Sequence, residues 1–450
     1  MKKKIIIGIF CIFALALSFT SVYTHKPSKK KQKLAKKTQE PYLTVAGFSL
    51  MSDGLGRHAV ELIDALDKDI DIGFASSREF LIFDGVPAKV KRILKQKRPI
   101  AKVVFYVDWL GEEGLSYKTT LVSPKNSTSI RIAYSMFEAS AIPPEWVVAL
   151  NNYFDAVAVP DKFLIDVYRS CGVTIPIFEV PLGLNLDNYY NAPLKNTKNS
   201  PMVFANFSTA TPRKNQLRLI QAFHAAFGNS KKVQLKLNSR AGDLPSIQAM
   251  ENEIHRLGAT NIDFTLRTLD NDLYLKAFQE IDCYVSLSSG EGFSIQPREA
   301  MALGVPVIVT DNTGQSTICD SKFGRAVPSL NPIPAFYPTF GRYYGSFYDC
   351  TIKDAAEALT DVYQNYENYL QQAAAARIWV KQSSSYDQLT PLYLGLVRPK
   401  KVVLGNINKV TPDCLFTDSA ELCTKFHQLT GAIFENQQTI PSKESAYEEK

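Results

Sequence analysis

Ser288-Ser-Gly-Glu-Gly-Phe-Ser-Ile-Gln-Pro-Arg-Glu-Ala-Met-Ala-Leu-Gly-Val-Pro-Val-Ile308 is the stretch on which the fold of this 450-residue chain turns. An apolar run over 283–287 leads into it and reads as a buried strand. Gly290 and Gly292 then make a loop, Pro297 marks the first turn of a helix, and a second apolar run over 305–309 opens the next strand. Strand, glycine loop, helix and strand together form the repeating unit of a parallel α/β sheet. The free N–H groups at such a helix start, with its dipole, suit a diphosphate. Glycine lets the backbone approach a ligand without a Cβ in the way. Glu291 falls in the loop and Glu299 in the first helical turn, seven residues between them. Carboxylates accept paired hydroxyl hydrogen bonds, and a sugar and a ribose each offer such pairs. Taken singly, Glu299 is explained by the helix dipole alone and Glu291 by solvation. Their combination with the loop and the following strand is much harder to explain that way.

Outward from this stretch the rhythm repeats. Strands are expected at 43–48, 102–107, 130–133, 156–159 and 177–180, with helices at 57–66, 144–151 and 162–171. A segment rich in Asn, Lys and Pro over 187–201 reads as a linker. A second series follows, with strands at 202–205, 233–237 and 262–266 and helices at 216–227, 246–257 and 273–280. A helical stretch over 353–381 closes it. The expected architecture is α/β, two doubly wound Rossmann-like domains facing a cleft: 42–186, the linker 187–201, then 202–398, with 399–450 unassigned. Such sheets bind ligands at the carboxyl ends of their strands, so the site is expected in the cleft.

The Glu-x7-Glu pattern of Glu291 and Glu299 resembles glycosyltransferase family 4, a large group of retaining enzymes with the GT-B fold. The resemblance implies that Glu291 contacts the transferred sugar and that Glu299 holds the donor ribose. It also implies that Gly292, Phe293 and Ser294 give backbone contacts to sugar and phosphate. Thr211-Pro-Arg-Lys-Asn-Gln216 is similar to the family's phosphate-binding loop, which makes Arg213 and Lys214 the cations for the pyrophosphate. A common family form carries a further Arg after the first strand of this domain, where Phe207 and Ser208 stand here. Ser52-Asp-Gly-Leu-Gly-Arg57 resembles the first-strand glycine loop, so Gly54 and Gly56 are candidate donor-binding positions; a plain tight turn explains them as well. Many relatives place a His near 131–139. This chain has Met136-Phe-Glu138 there, and Glu138 is the replacement candidate. His58 is more simply a packed residue than a catalytic one.

The resemblance covers roughly 43–398 and implies transfer of a sugar from a nucleoside diphosphate sugar to a glycan or lipid-linked hydroxyl. The implied chemistry uses no metal and no cofactor. A non-catalytic GT-B module that binds glycan or nucleotide is the alternative, kept open by the missing His and Arg.

The net charge of +7 suggests nucleic acid until its distribution is read. Residues 1–37 hold ten lysines and no acid, and without them 41 basic residues face 44 acidic ones. The body is therefore near neutral, which argues against a nucleic-acid partner. Residues 5–23 are uncharged over about the length that spans a hydrocarbon core. Segment 1–24 is a membrane anchor or a signal segment, and its length favours the anchor. The Lys-rich tether 25–41 then predicts a cytoplasmic body, as at a bacterial inner membrane. An exported surface protein is the competing reading. Seven scattered cysteines without metal spacing read as free thiols. Asp-x-Asp at 67–71 precedes a strand and reads as a helix-ending charge cluster. A glycan on the acceptor pattern at Asn206 would sit beside the phosphate loop, so that pattern is set aside, as is the one at Asn126.

Overall fold

The computed structural model describes residues 39–111, 128–398 and Lys425. The expected anchor, tether and tail therefore lie outside the described residues, apart from residues 39–41 of the tether and Lys425 of the tail. Among the described residues no helix is long and apolar enough to cross a membrane.

Two six-stranded parallel sheets carry the molecule. The first contains β1 (Leu43–Gly47), β2 (Ile72–Ser76), β3 (Val103–Val107), β4 (Ile130–Tyr134), β5 (Ala156–Val159) and β6 (Ile177–Glu179), in the order 2-1-3-4-5-6. The second contains β7 (Met202–Asn206), β8 (Val233–Ser239), β9 (Ile262–Leu266), β10 (Cys283–Ser286), β11 (Val307–Asp311) and β12 (Arg325–Pro328). Its order is 12-11-10-7-8-9. β1, β3, β4 and β7 are buried along their whole length. Helices on both faces demand this, and it explains why Val, Ile and Phe run without alternation there.

The strand orders position the site. In the first sheet the winding reverses at β1 and β3, and in the second at β7 and β10. Loops leaving adjacent strands at such a reversal splay apart and open a crevice. The loop after β7 carries Arg213 and Lys214, and the loop after β10 carries Glu291. One hydrophobic cluster joins both halves, with Val45 and Leu62 in the same body as Ala300 and Met301.

Several elements differ from the sequence reading. β2, the helix Ala88–Leu94 and β12 were not expected. The linker contains a short helix, Asp187–Asn191, whose Tyr189 is buried. The closing helix is three helices, Ile352–Gln364, Tyr366–Ser384 and Tyr386–Val397. The last of these returns to the first half, where Tyr386 and Tyr393 meet His58 at 2.8 and 3.4 Å. Burial pushes His58 down to about 3, so the ring is a neutral packing group. An antiparallel hairpin, β13 (Asn331–Tyr337) and β14 (Arg342–Asp349), leaves the second half and packs on the first. There Tyr337 stacks on Phe137 at 4.5 Å and Phe340 on Trp109 at 5.5 Å. The four described cysteines are free. Asn206 is buried and donates to the Val285 carbonyl at 2.7 Å, which leaves no room for a glycan there.

Candidate active site

The loop after β7 tightens into a single 3-10 turn, Pro212–Lys214, closed by Asn215 in the left-handed region at φ 58°. The Arg213 carbonyl accepts from the Ser289 backbone N–H at 2.9 Å and from the Ser288 hydroxyl at 3.2 Å. The phosphate-loop candidate and the Glu291 loop are thus zipped together before their side chains meet.

Those side chains form a buried ionic cluster. Lys214 Nζ lies 2.5 Å from Glu291 Oε1, and Arg213 Nη1 lies 3.1 Å from Glu291 Oε2. Arg213 also donates to the Gly290 carbonyl at 2.5 Å, and its other terminal nitrogen reaches Glu138 Oε1 at 3.1 Å. Burial works to raise the Glu291 carboxyl, but Lys214 and Arg213 together outweigh it and hold the group down to about 2. Glu291 is a carboxylate at any working pH. Its backbone N–H donates to Thr313 Oγ1 at 2.8 Å, and its carbonyl accepts from Gly314 at 2.9 Å. Glu138, the replacement candidate for the missing His, is the second counter-ion of Arg213, and Tyr337 from the hairpin donates to its other oxygen at 3.1 Å.

Glycine is required at one point of this loop and closely packed at a second. A Cβ on Gly290 would collide with the Glu138 carbonyl, and one on Gly292 would meet Met136 at 3.1 Å. The first half therefore sits directly on the loop. Phe293 is buried and its ring lies 3.8 Å from the Arg298 guanidinium, so its side chain is packing. Ser294 turns the chain at φ 72°. Its carbonyl accepts from Arg298 at 3.0 Å and its hydroxyl from Gln315 at 3.0 Å. Arg298 also donates to the Phe293 carbonyl, and with the Ser294 bond this braces the turn. Burial pushes the Arg298 guanidinium down to about 10, which leaves it charged. The helix that follows is Ile295–Ala302, and no side chain caps its first turn. It begins two residues before Pro297, which puts Glu299 beyond the first turn and removes the dipole explanation for it.

Glu299 is fully buried and three donors hold it. Arg57 from the first half reaches Oε1 at 2.6 Å, Tyr189 from the linker helix donates to the same oxygen at 2.9 Å, and Tyr274 donates to Oε2 at 3.0 Å. The sequence reading missed all three, as well as Tyr337 and Thr313. The sole local signal was Arg57, which ends the glycine loop next to His58. Gly54 and Gly56 lie within the helix Gly54–Leu66, capped by Asp53, which accepts from Leu55 at 3.0 Å. Gly56 is required by its own turn, because a Cβ would lie 2.5 Å from the Leu50 carbonyl. Gly54 is open, with only Ile295 Cδ1 at 3.4 Å across the cleft. Two surface depressions elsewhere, one beside Ala226 and Thr360 and one beside Glu251 and Phe264, contain none of these residues.

The geometry can hold an anion against two cations and an uncapped helix start, with one carboxylate beside it and a second further along. No curated protein sequence matches the chain. The solved structure of S. aureus TarM shares 15% identity and a TM-score of 0.51, over 66% of this chain and 54% of TarM. The chain thus spans about half the length of that relative. Anabaena Alr3699/HepE, solved with UDP and glucose, shares 13% identity and a TM-score of 0.53, over 80% of this chain and 99% of HepE. A glycosyltransferase from Rickettsia africae ESF-5 shares 15% identity and a TM-score of 0.57, over 80% of this chain and 98% of that one. These likenesses establish the two-sheet GT-B fold. The model of the family described as glycosyl transferases group 1 matches residues 193–332, the segment that carries Arg213, Lys214, Glu291 and Glu299, and it is to that family that this segment of the chain is similar.

Proposed function

We propose that the protein is a retaining glycosyltransferase that takes a sugar from a nucleoside diphosphate sugar. The observation that carries this reading is the buried cluster of Arg213 and Lys214 with Glu291 at the strand reversal of the second sheet. Two cations beside an uncapped helix start stabilise the charge that develops on a diphosphate leaving group. In the reaction, the bond from the anomeric carbon to the donor phosphate oxygen breaks and a bond to the acceptor hydroxyl oxygen forms on the same face. The hydroxyl proton passes to the departing phosphate. Glu291 then orients the sugar and need not be a nucleophile, and Glu299 takes the ribose hydroxyls. Arg213 and Lys214 do the work a divalent metal would otherwise do. Catalysis of this kind is mainly orientation and leaving-group stabilisation.

In this reading residues 202–398 hold the donor and 42–186 face the acceptor. The 5–23 segment anchors the chain with its body on the cytoplasmic side, where nucleotide sugars are met. An anchored enzyme fits a lipid-linked or envelope glycan acceptor, as in polysaccharide or glycolipid assembly. Incubation with a panel of nucleotide sugars, read by release of nucleoside diphosphate, tests the activity. The anomeric configuration of the product tests retention. Binding of a nucleoside diphosphate with neither release nor transfer would instead support a non-catalytic binding module. A reporter fused to the C-terminus decides the side of the membrane, and an external signal would overturn the placement.

A further inference from the structure

The Glu299 carboxylate presents a difficulty for a ribose. A carboxylate accepts at roughly four lone-pair positions, and Arg57, Tyr189 and Tyr274 already occupy three on this fully buried group. A pair of ribose hydroxyls can enter only by displacing a donor. Arg57 is the one built to leave. It alone comes from the first half of the molecule, and its side chain retains 17% exposure against 1% for Glu299. It is also held at more than one point. Its Nε pairs with Glu61 at 2.7 Å one helical turn away, and Glu61 in turn accepts from the Asn185 backbone at 2.8 Å. Nη1 reaches Glu299, while Nη2 makes only a long bond of 3.5 Å to the Asn185 carbonyl. If Nη1 is displaced, the guanidinium therefore stays hinged on Glu61, with Nη1 released and Nη2 loosely held.

The same helix face shows where they would go. Gly54 lies one turn before Arg57 and has only Ile295 beside its vacant Cβ position, at 3.4 Å. Ile295 is the first residue of the motif helix, whose first turn no side chain caps. Arg57 thus lies one turn from the glycine that meets the helix start that would receive a diphosphate, and itself touches Glu299 on that helix.

We propose that Arg57 is a donor-binding residue, stored on Glu299 in the free protein and transferred to the donor's phosphate when the ribose hydroxyls take its place. This rests on the reading of Glu291 and Glu299 as the donor site. It adds a third cation, one that the first half of the molecule contributes and that engages only when nucleoside and phosphate arrive together.

The test is calorimetric titration of the full chain with UDP and with uridine, using ADP and GDP with their nucleosides if UDP does not bind. In Arg57→Gln, affinity for the nucleoside diphosphate is expected to fall about tenfold or more, the range of a lost charge-assisted hydrogen bond. Affinity for the nucleoside alone is expected to stay level or rise, because its competitor for Glu299 is gone. Arg57→Lys keeps the charge and is expected to lose less, and only for phosphate-bearing ligands. That variant carries the test if Arg57→Gln fails to fold. Equal losses for nucleoside and diphosphate would make Arg57 a strut between the halves, and no loss for the diphosphate would remove it from the site; either overturns the proposal. A wild-type chain that binds no nucleoside diphosphate would overturn the donor site itself, whereas one that binds but ignores Arg57 substitution would overturn this inference alone.

Discussion

Glu291 and Glu299 have seven residues between them in sequence and are both buried and both paired with cations, yet they are held in opposite ways. Glu291 is served from within its own half. Arg213 and Lys214 come from the loop after β7, the adjacent strand across the sheet reversal, and that loop is bonded to the Glu291 loop through backbone. Glu299 is served from three directions: the first half through Arg57, the linker helix through Tyr189, and its own half through Tyr274. The direct partners of Glu291 therefore all lie in the second half, and the first half enters only at one remove, through Glu138 on Arg213. The Glu299 end is complete only when the two halves and the linker meet. The first arrangement suits a group that must be positioned before chemistry, and the second suits one that reports whether the cleft is closed.

The largest effect should fall on the self-contained end. In the proposed reaction Lys214→Ala removes one of two cations that would face the leaving group, and losing one preorganised stabilising group costs about 100- to 1000-fold in kcat. Donor affinity should change much less, so kcat and KM separate in steady-state assays. A change in KM alone would mean that the Glu291 cluster only binds. Glu299→Gln keeps the shape of the side chain and removes the charge, and it should weaken nucleoside diphosphate binding roughly tenfold with a smaller change in kcat. If this variant instead behaved like Lys214→Ala, the distinction between the two ends would collapse.

A third effect, smaller still, lies on the hairpin. Tyr337→Phe deletes the hydroxyl through which the hairpin holds the carboxylate of Glu138, the second counter-ion of Arg213. The stacking on Phe137 remains, so stability should hold while kcat falls by a few-fold, the scale of one hydrogen bond to a charged group in a partly exposed site. An unchanged kcat with a lowered melting temperature would make Tyr337 a packing residue only.

How much of this could be read from the sequence follows the same division. β7, β10 and the glycine loop with Glu291 in it were legible because each belongs to one strand–loop–helix unit, where periodicity and turn chemistry act over a few residues, whereas Arg213 and Lys214 were singled out by the family resemblance. The partners of Glu299 were not. Arg57 lies 242 residues away, Tyr189 110 and Tyr274 25, and no local pattern marks a contact made across a cleft. Tyr189 was further hidden because its segment, rich in Asn and Lys, reads as a linker. The hairpin escaped for a local reason. Pro332 and Pro334 remove ladder donors from β13, and Gly345 at φ 63° accompanies a register shift, so the alternation that marks a strand is broken. Glu138 was found by resemblance, but only the fold shows that it faces Arg213.

The smallest effect expected is the pH response of the Glu291 end. Its folded carboxyl is held down to about 2 against an ordinary value of 4.5. A depressed carboxylate contributes stability that is fully present above the unfolded value and is lost as pH falls through the folded one. Between pH 5 and 8 Glu291 is ionised in both states, so neither stability nor kcat should respond to it there. The loss belongs to the window from 4.5 down to about 2, where the unfolded chain takes up the proton first. Below it the protonated carboxyl no longer balances Arg213 and Lys214. Thermal melts recorded from pH 8 to 3, comparing wild type with Glu291→Gln, isolate the term: the two curves should run parallel above pH 5 and converge below 4.5. Convergence already at pH 6 would mean that Glu291 titrates near neutrality, and the pre-charged cluster that separates this end from the Glu299 end would not exist.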